Sequence, residues 1–301
     1  MFQAVWLSRT VAPLVGQSDF KAHVLASFPS ACNLLAADGS VVTVVTRAVG
    51  NGPLSIVADG KMALPVCQAG TPAHGDGRTL DIGGAWQVNF ADAALWEPMP
   101  DYGVLRRLAM NYPTAALLYL ENLLAACAPS ESLAILLCSS RLQDSPLTPY
   151  QQRAREQVAA LLAAYAVGDL DGITAHAAAL VGLGPGLTPA GDDWLAGWLV
   201  GLRLREMLQP ADAKLSLASV ATAVLHVAAG RTHALSLALL RAAAAGEVNA
   251  RWHVLLSAFA ANDIPGVDAA AAQVMKYGET SGSDMLAGFL SAFALDSWPR
   301  R

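Results

Sequence analysis

The residues best suited to chemistry lie in one glycine-rich stretch, 182–193, which reads Gly-Leu-Gly-Pro-Gly-Leu-Thr-Pro-Ala-Gly-Asp-Asp. Thr188 followed by Pro189 is typical of a helix start, with threonine as the N-cap and proline in the first turn. The glycines before it can adopt positive φ and bring backbone N–H groups close to a ligand. Because a helix N-terminus carries free N–H groups, the pattern predicts a binding site for a small anion. The expected binding residues are Gly184, Gly186, Thr188 and Gly191.

Two carboxylates, Asp192 and Asp193, follow in the first turns of this helix. Acidic residues are common there because they interact favourably with the helix dipole, which is a purely structural interpretation. The rest of the helix, 194–202, is apolar on nearly all faces, and this predicts that it is buried. Buried carboxylates need protein, metal or ligand partners to offset their lost hydration, so we expect a functional role for this pair.

The same pattern recurs near the C-terminus, where Gly282-Ser-Asp-Met-Leu-Ala-Gly288 aligns without a gap with 191–197. Both segments place small residues four apart, which allows two helix backbones to approach closely and brings their N-termini together. We therefore predict one shared polar site. Duplicated helix caps with no function are the alternative, because repetition alone shows only shared architecture. The second half of the predicted site consists of Thr280, Ser281, Gly282 and Asp284.

Arg231 is the cation that we expect to face these carboxylates or an anionic substrate, because its guanidinium binds carboxylate or phosphate bidentately. An ordinary surface ion pair is the alternative for this arginine. His233 and Ser236 follow it, with proton-transfer or hydrogen-bonding roles open to them. If a metal binds, Asp193 and Asp284 are the expected ligands, and clustered Asp and Thr oxygens favour Mg²⁺ over Zn²⁺. The predicted catalytic residues are Asp192, Asp193, Asp284 and Arg231.

Several other kinds of site are excluded or disfavoured by spacing. The glycine-rich stretch lacks the Gly-Lys-Ser/Thr ending of a phosphate-binding P-loop and the glycine spacing of a dinucleotide fingerprint. The histidines show no paired metal-ligand spacing, which disfavours a zinc enzyme. No Gly-x-Ser-x-Gly elbow is present, which weakens a serine hydrolase interpretation.

The composition excludes further classes of protein. The 301 residues are 54% hydrophobic but only 14% charged, with a net charge of −5, so a disordered chain is excluded and a nucleic-acid binder is disfavoured. A spanning helix needs about 20 consecutive apolar residues, and the longest uncharged stretch, 172–191, is interrupted by glycines and prolines. Neither a secretion signal nor a CxxC pair is found, which favours a cytoplasmic protein with buried free thiols at Cys32, Cys67, Cys127 and Cys138.

The elements that must position these residues change in character near residue 100. Before it, short β-branched segments separated by turns at 38–39, 51–53 and 83–84 predict strands at 40–46, 54–57, 79–82 and 85–90. After it, apolar periodicity predicts helices at 149–169, 171–181, 190–202, 211–229, 232–245, 248–261 and 267–277. Thr148-Pro-Tyr-Gln151 is typical of a capping box at the start of the first of these helices. We therefore expect an α+β protein. A small antiparallel β-barrel or sandwich, 1–102, is followed by a larger all-α domain, 103–301, that carries the glycine-rich helix starts.

The motifs resemble the AllH-type bacterial proteins, formerly a domain of unknown function. The specific part is Gly184-Pro-Gly-Leu-Thr-Pro-Ala-Gly-Asp-Asp193 with its Leu-Ala-Gly, supported by Leu235-Ser236, Leu239-Leu-Arg-Ala-Ala243 and Thr280-Ser-Gly-Ser-Asp284. Weaker likeness extends into the strand region, at Ser27-Phe28, Ala31-Cys-Asn-Leu34, Gly52-Pro53 and Ala94-Leu-Trp-Glu-Pro98. The resemblance therefore covers most of the chain.

What this resemblance implies is a subunit of oxamate carbamoyltransferase in anaerobic allantoin degradation, a branch of purine catabolism. Its partners would be an FdrA-like subunit and a second subunit, and homo-oligomers are also compatible with it. The implied reaction converts oxalurate and phosphate into oxamate and carbamoyl phosphate, which are small anions suited to the predicted site. The chain would then act as a transferase only with its partners. A non-catalytic scaffold or small-anion sensor and a standalone hydrolase are the alternatives.

Overall fold

The computed structural model describes residues 1–60, 63–137, 146–209 and 214–293 and divides the chain into two compact units. The first unit holds residues 1–100 and the short segment 247–250, and the second holds 101–246 and the chain from residue 251 onward. Strands occur in the first unit and most of the helices in the second. Among the described residues no helix is long and apolar enough to cross a membrane.

The first unit is an eight-stranded barrel with one additional strand. Its strands are β1 Phe2–Ser8, β2 Phe20–Phe28, β3 Ala31–Ala36, β4 Val41–Thr46, β5 Ser55–Ala58, β6 Pro72–Gly75, β7 Thr79–Ile82, β8 Trp86–Asn89 and β9 Ala94–Trp96, with a short helix α1 at Ala12–Val15. The order β5-β4-β3-β2-β6-β7-β8-β1 closes because β1 also pairs with β5, and β9 adds to the outside of β1. Alternating residues such as Val42 and Val44 of β4 fill the interior with apolar side chains.

The α+β architecture is confirmed, but the barrel is mixed rather than antiparallel. The predicted turns at Gly39 and at Gly83-Gly84 do join antiparallel neighbours, and all three glycines have positive φ. The pairs β4–β5, β1–β8 and β1–β9 are parallel. The turn expected at 51–53 therefore belongs to a crossover connection instead of a hairpin, because β5 pairs parallel to β4.

The second unit is built from helices. They are α2 Tyr102–Leu108, α3 Thr114–Cys127, α4 Pro149–Val167, α5 Leu170–Leu180, α6 Ala190–Leu208, α7 Leu217–Ala228, α8 Ala234–Ala245, α9 Ala250–Ala260, α10 Ile264–Met275 and α11 Ser281–Ser291, with a 3-10 helix at Leu133–Leu137. The start of α4 follows the expected capping box, in which Thr148 accepts from the backbone of Gln151 and the Gln151 side chain bonds back to Thr148. The sequence patterns did not indicate α2 or α3.

The second unit is organised by the contact between α6 and α11. A Cβ at Gly197 would lie 1.8 Å from the carbonyl oxygen of Met285, and a Cβ at Gly288 would lie 1.9 Å from that of Trp194. Trp194 and Met285 occupy equivalent positions in the two aligned motifs, so the contact is reciprocal. Only glycine allows the two backbones to touch in this way, which explains the spacing of small residues in both helices.

The duplication extends further than the sequence motif. The connection from α4 to α5 and the connection from α9 to α10 share the same local structure: Gly168 and Asn262 both have positive φ. The residues after them, Asp169 and Asp263, donate equivalent backbone hydrogen bonds of 2.9 Å to the preceding helix. The helices α4–α6 and α9–α11 are therefore two copies of one three-helix unit, and α6 and α11 are its equivalent third helices.

The cysteines depart in part from the expectation of buried thiols. Cys32 is buried in the barrel, and burial raises the pKa of its thiol to about 11. Cys67 is half-buried and its sulfur accepts a hydrogen bond from the Trp86 ring N–H, at 3.2 Å. Cys127 is exposed at the end of α3, so the expectation is wrong for this residue, and Cys138 lies outside the described residues.

Candidate functional site

The helix starts of α6 and α11 are adjacent, and hydroxyl groups link them. Thr188 was expected to cap α6, but the helix begins one residue later, with Pro189 as its N-cap and no side-chain cap. The Thr188 hydroxyl instead lies 3.1 Å from the Ser281 hydroxyl at the start of α11. Thr280, the N-cap of α11, does not cap with its side chain either. The polar side chains at both starts therefore face a common region.

The glycine-rich loop before α6 has the expected backbone conformation, since Gly182, Gly184 and Gly186 all have positive φ. A Cβ at Gly184 would lie 2.8 Å from the Ala190 nitrogen, so this glycine is also required by close packing. Gly186 is exposed and faces open space. Within the described residues, the backbone N–H groups of Gly184, Gly186 and Leu187 donate to no protein acceptor.

The helix amides themselves are less available than the sequence suggested. At the start of α6 the Gly191 N–H donates to the Leu183 carbonyl at 2.8 Å, and the Asp192 N–H donates to Pro189. At the start of α11 the Gly282 N–H donates to the Tyr277 carbonyl at 2.9 Å. Donors for an anion on this side therefore come from the loop rather than from the first helical turn.

Asp192 is buried and both of its carboxylate oxygens have partners. One oxygen accepts the Gly182 N–H at 3.0 Å, and the other accepts the hydroxyls of Thr232 and, at 2.8 Å, Ser236. These bonds tie the glycine-rich loop to the start of α8. The carboxylate therefore positions the loop, and Ser236 has the hydrogen-bonding role that was considered for it.

Asp284 is fully buried, and one of its two carboxylate oxygens accepts hydrogen bonds from the protein. Its Oδ1 accepts the Ser132 hydroxyl at 2.8 Å and the Leu133 N–H at 2.6 Å, which holds the start of the 3-10 helix. The Gln151 side-chain amide donates to the carbonyls of Ser130 and Ser132 and fixes the same segment. The other oxygen, Oδ2, is buried without a hydrogen-bond partner in the described residues.

Asp193 has the fewest structural contacts of the three aspartates. Its Oδ2 is buried without a hydrogen-bond partner among the described residues, and the side chain is 6% exposed. The hydroxyls of Ser281 and Thr188 lie beside the carboxyl group. The buried hydroxyl of Ser283 is also unpartnered in this part of the chain. Three unpartnered buried oxygens thus lie at the paired helix starts, where a ligand or proton would satisfy them.

The surroundings of Asp193 and Asp284 raise the pKa of both carboxyl groups. Burial raises the pKa of Asp193 well above its usual value, and the negative charges of Asp284 and Asp192 raise it further against the two hydroxyls. Burial also raises the pKa of Asp284 to about 6, although its hydrogen bonds from Leu133, Ser132 and Thr280 favour the charged form. These shifts favour the neutral form of Asp193, and a neutral carboxyl group can donate a hydrogen bond.

Arg231 forms no ion pair with the three aspartates in the described residues. Its side chain is exposed, and the ion pairs found among the described residues do not include it. Instead its carbonyl oxygen packs on the loop, 2.8 Å from where a Cβ of Gly182 would be. The hydroxyls of Thr232 and Ser236 take the place beside Asp192 that was expected for the guanidinium.

The structure brings other residues to the site that the sequence did not indicate. Ser132 contacts Asp284 from a segment more than a hundred residues away in sequence, and no local pattern marks it. Tyr277 anchors the first turn of α11 through its carbonyl, and the Arg251 guanidinium lies over its ring, 5.9 Å from the centroid. In the sequence, the aromatic residue before Gly278 is the feature from which the contact with Arg251 could have been inferred.

The expected magnesium ligands, Asp193 and Asp284, each offer one carboxylate oxygen. No three His, Cys, Asp or Glu side chains converge as a metal-binding group in the ranges that the structure describes. Mg²⁺ usually completes its octahedron with water and substrate oxygens around one or two carboxylates. The bridge between the two aspartates therefore stays a prediction.

Two models of known protein families match the chain. Residues 180–293 match the model of oxamate carbamoyltransferase subunit AllH, and residues 3–95 match that of the AllH family N-terminal domain. The chain belongs to the AllH family. No curated protein and no solved structure matches it.

The AllH match contains both helix starts, the glycine-rich loop, Arg251 and Tyr277. The N-terminal match covers most of the barrel. Its description makes AllH a subunit, so partner subunits belong to the functional unit. Ser132 and Gln151, which fix the segment beside Asp284, lie outside both matched regions.

Proposed function

We propose that this chain is the oxamate carbamoyltransferase subunit that binds the small anionic substrate at the paired starts of α6 and α11. The observation that carries the proposal is the buried Oδ2 of Asp193, which has no hydrogen-bond partner among the described residues and belongs to a carboxyl group beside the Thr188 and Ser281 hydroxyls. The loop supplies donors for an oxyanion and the neutral carboxyl group supplies a proton. An FdrA-like subunit and a second subunit are the partners with which it would act in the cytoplasm during allantoin degradation.

In the proposed reaction a phosphate oxygen attacks the carbamoyl carbon of oxalurate. The bond from that carbon to the amide nitrogen breaks, and the nitrogen takes a proton to give oxamate. A neutral Asp193 would donate this proton, and the proton that the attacking hydrogen phosphate loses would restore it. The N–H groups of Gly186 and Leu187 would stabilise the negative charge that develops on the carbamoyl oxygen.

The three aspartates would then have different roles. Asp192 positions the loop through Gly182, and Asp284 positions the 3-10 helix through Leu133. The free oxygen of Asp284 lies near enough to Asp193 for its charge to raise the pKa of that group. The charge of Asp284 would therefore favour the protonated form of Asp193 before the proton is transferred to the leaving nitrogen.

The test is carbamoyl transfer by the chain reconstituted with its partner subunits. Asp193→Asn should reduce kcat by about 100-fold or more, because loss of a general acid typically costs 10²–10⁴. Asp263→Asn is the matched control, since this N-cap carboxylate of α10 makes no side-chain cap bond. Unchanged kcat in Asp193→Asn, or unchanged ligand binding in the folded Asp193→Asn, Asp284→Asn double variant, would contradict the proposal.

The burial of the site favours a second candidate, a scaffold or small-anion sensor that regulates its partners. Asp192 is 1% exposed and Asp284 0%, so two of the three aspartates contact protein rather than solvent. In that case the Thr188 and Asp193 variants would keep carbamoyl transfer in the assembled enzyme but lose its response to bound anion. Turnover of oxalurate by the purified chain alone would instead indicate a standalone hydrolase.

A further inference from the structure

The turn between α10 and α11 connects the buried aspartates to a cationic side chain. Ser281 lies beside Asp193 and pairs with the Thr188 hydroxyl at 3.1 Å. The turn that carries Ser281 is closed by the Gly282 N–H, which donates to the Tyr277 carbonyl at 2.9 Å. Gly278, inside the turn, has a φ of 65°. Tyr277 is thus fixed at the edge of the site.

Arg251, at the start of α9, completes this arrangement. Its guanidinium lies over the ring of Tyr277 at 5.9 Å from the centroid, a distance at which the ring face attracts and orients a cation. The pKa of Tyr277 is raised mainly by burial and also by the charge of Asp193, and Arg251 lowers it. Tyr277 therefore contacts Arg251 through its ring and the first turn of α11 through its carbonyl oxygen.

We infer that Arg251, oriented by the ring of Tyr277, binds the oxyanion group of the substrate at this site. The inference rests on the proposed function and deepens it, because it assigns the cation that the anionic substrate needs. A guanidinium has five N–H donors in a fixed fork, so it can bind a carboxylate or a phosphate bidentately while it keeps other contacts. The ligand chemistry is a planar carboxylate or a tetrahedral phosphate, and both occur among the reactants.

The arrangement also separates recognition from proton transfer. Arg251 and Tyr277 would hold the charged end of the substrate, whereas Asp193 would meet the leaving nitrogen. The guanidinium would offset the repulsion that the charged aspartates would exert on an anionic substrate. Arg231 does not provide this charge at the carboxylates, because its side chain is exposed and the described ion pairs do not include it.

The test compares KM and kcat of Arg251→Gln with those of Arg241→Gln in the assembled carbamoyltransferase. Arg241 is an exposed arginine of α8 and serves as the matched control. Loss of a charge-assisted bidentate contact should raise KM by about 10- to 100-fold and change kcat less. A larger rise for oxalurate than for phosphate identifies the carboxylate as the bound group, and the opposite ranking identifies the phosphate.

Two further variants separate recognition from a structural role. Arg251→Lys keeps the charge but loses the fork, so its KM should lie between those of wild type and Arg251→Gln. Tyr277→Leu removes the ring face and should raise KM in the same direction as Arg251→Gln, with less effect. Equal KM values for Arg251→Gln, Arg241→Gln and wild type would overturn the inference and leave the proposed function intact. Absence of carbamoyl transfer by the assembled wild-type protein would overturn both.

Discussion

The start of α6 and the start of α11 follow the same backbone plan, since Gly191 packs on the carbonyl of Leu180 and Gly282 packs on that of Val274. Their side chains differ. Asp192 corresponds to Ser283, whose hydroxyl has no hydrogen-bond partner among the described residues, and Asp193 corresponds to Asp284, whose carboxyl group holds the start of the 3-10 helix. A duplicated scaffold thus fixes where the polar groups lie, and local differences decide which of them remains available for chemistry.

The glycines at the contact between α6 and α11 should give the largest effect. Gly197→Val should prevent folding or cost more than about 4 kcal/mol, because even a Cβ would lie 1.8 Å from the Met285 carbonyl oxygen. The measurement is the free energy of unfolding from urea denaturation. Gly230→Ala is the control, because Gly230 has positive φ with open space and should cost only about 1 kcal/mol. Equal destabilisation by the two changes would show that the reciprocal contact is unimportant.

The pH dependence of stability should reveal the buried Asp284. Between pH 3.8 and about 6 the folded protein keeps a proton on Asp284 that the unfolded chain has released. The free energy of unfolding should therefore fall as the pH rises across this window, by roughly 3 kcal/mol from this residue. The raised pKa of Asp193 should extend the fall to higher pH.

The matched variant for this pH effect is Asp284→Asn, which does not titrate. Its stability relative to wild type should increase from pH 4 to about 6 and then become constant. Parallel pH profiles for the two proteins would contradict the raised pKa of Asp284.

Loss of the hydrogen bonds that Asp284 accepts should have a smaller effect on the free energy of unfolding. Asp284→Ala removes the acceptor of the Leu133 N–H and the Ser132 hydroxyl, whereas Asp284→Asn keeps an acceptor oxygen. The alanine variant should be less stable than the asparagine variant by about 1–3 kcal/mol at pH 7, the cost of an unsatisfied buried donor. Chemical denaturation of both variants measures this difference. The same pair of changes at Asp193 should differ less, and an equal difference would show that the two carboxylates do not have separate duties.

The hydroxyl link between the helix starts should give the smallest effect. Thr188→Val removes the contact with the Ser281 hydroxyl and should cost about 1 kcal/mol of stability. Thr222→Val is the control, because Thr222 is an exposed residue that bonds only to the Ala218 carbonyl of its own helix. Thermal unfolding of the two variants at equal concentration tests the difference, and an equal or greater loss in Thr222→Val would argue against the link.

The sequence predicts much of this fold because its signals are local. Thr148 and Gln151 indicate the start of α4, and the glycines at 39 and 83–84 indicate hairpins. The strands β1, β2, β3, β6 and β9 were not predicted, although Phe20-Lys-Ala-His-Val24 of β2 alternates between apolar and polar residues. The parallel pairing of β4 with β5 depends on barrel closure, which no local pattern encodes.

The paired helix starts were predictable because the same motif occurs twice in the sequence. The aligned motifs brought Asp193, Asp284 and Ser281 to one place because repeated helices pack on repeated glycines. The partners Ser132 and Thr232 come from distant or weakly patterned segments, so tertiary contacts alone reveal them. The position of Arg251 over the Tyr277 ring likewise joins residues 26 positions apart, so no local pattern indicates it.

The reciprocal contact of α6 and α11 has the form of an interface between two identical subunits. A contact in which one copy of a segment meets the other in the same way, in both directions, is the pattern of a two-fold dimer. Here both halves of that contact belong to one polypeptide. At Gly197 and Gly288 neither half can change alone, because a side chain on one displaces the backbone of the other. Away from these glycines the halves differ, as Asp192 and Ser283 do, so the polar groups at the paired helix starts are not arranged with two-fold symmetry.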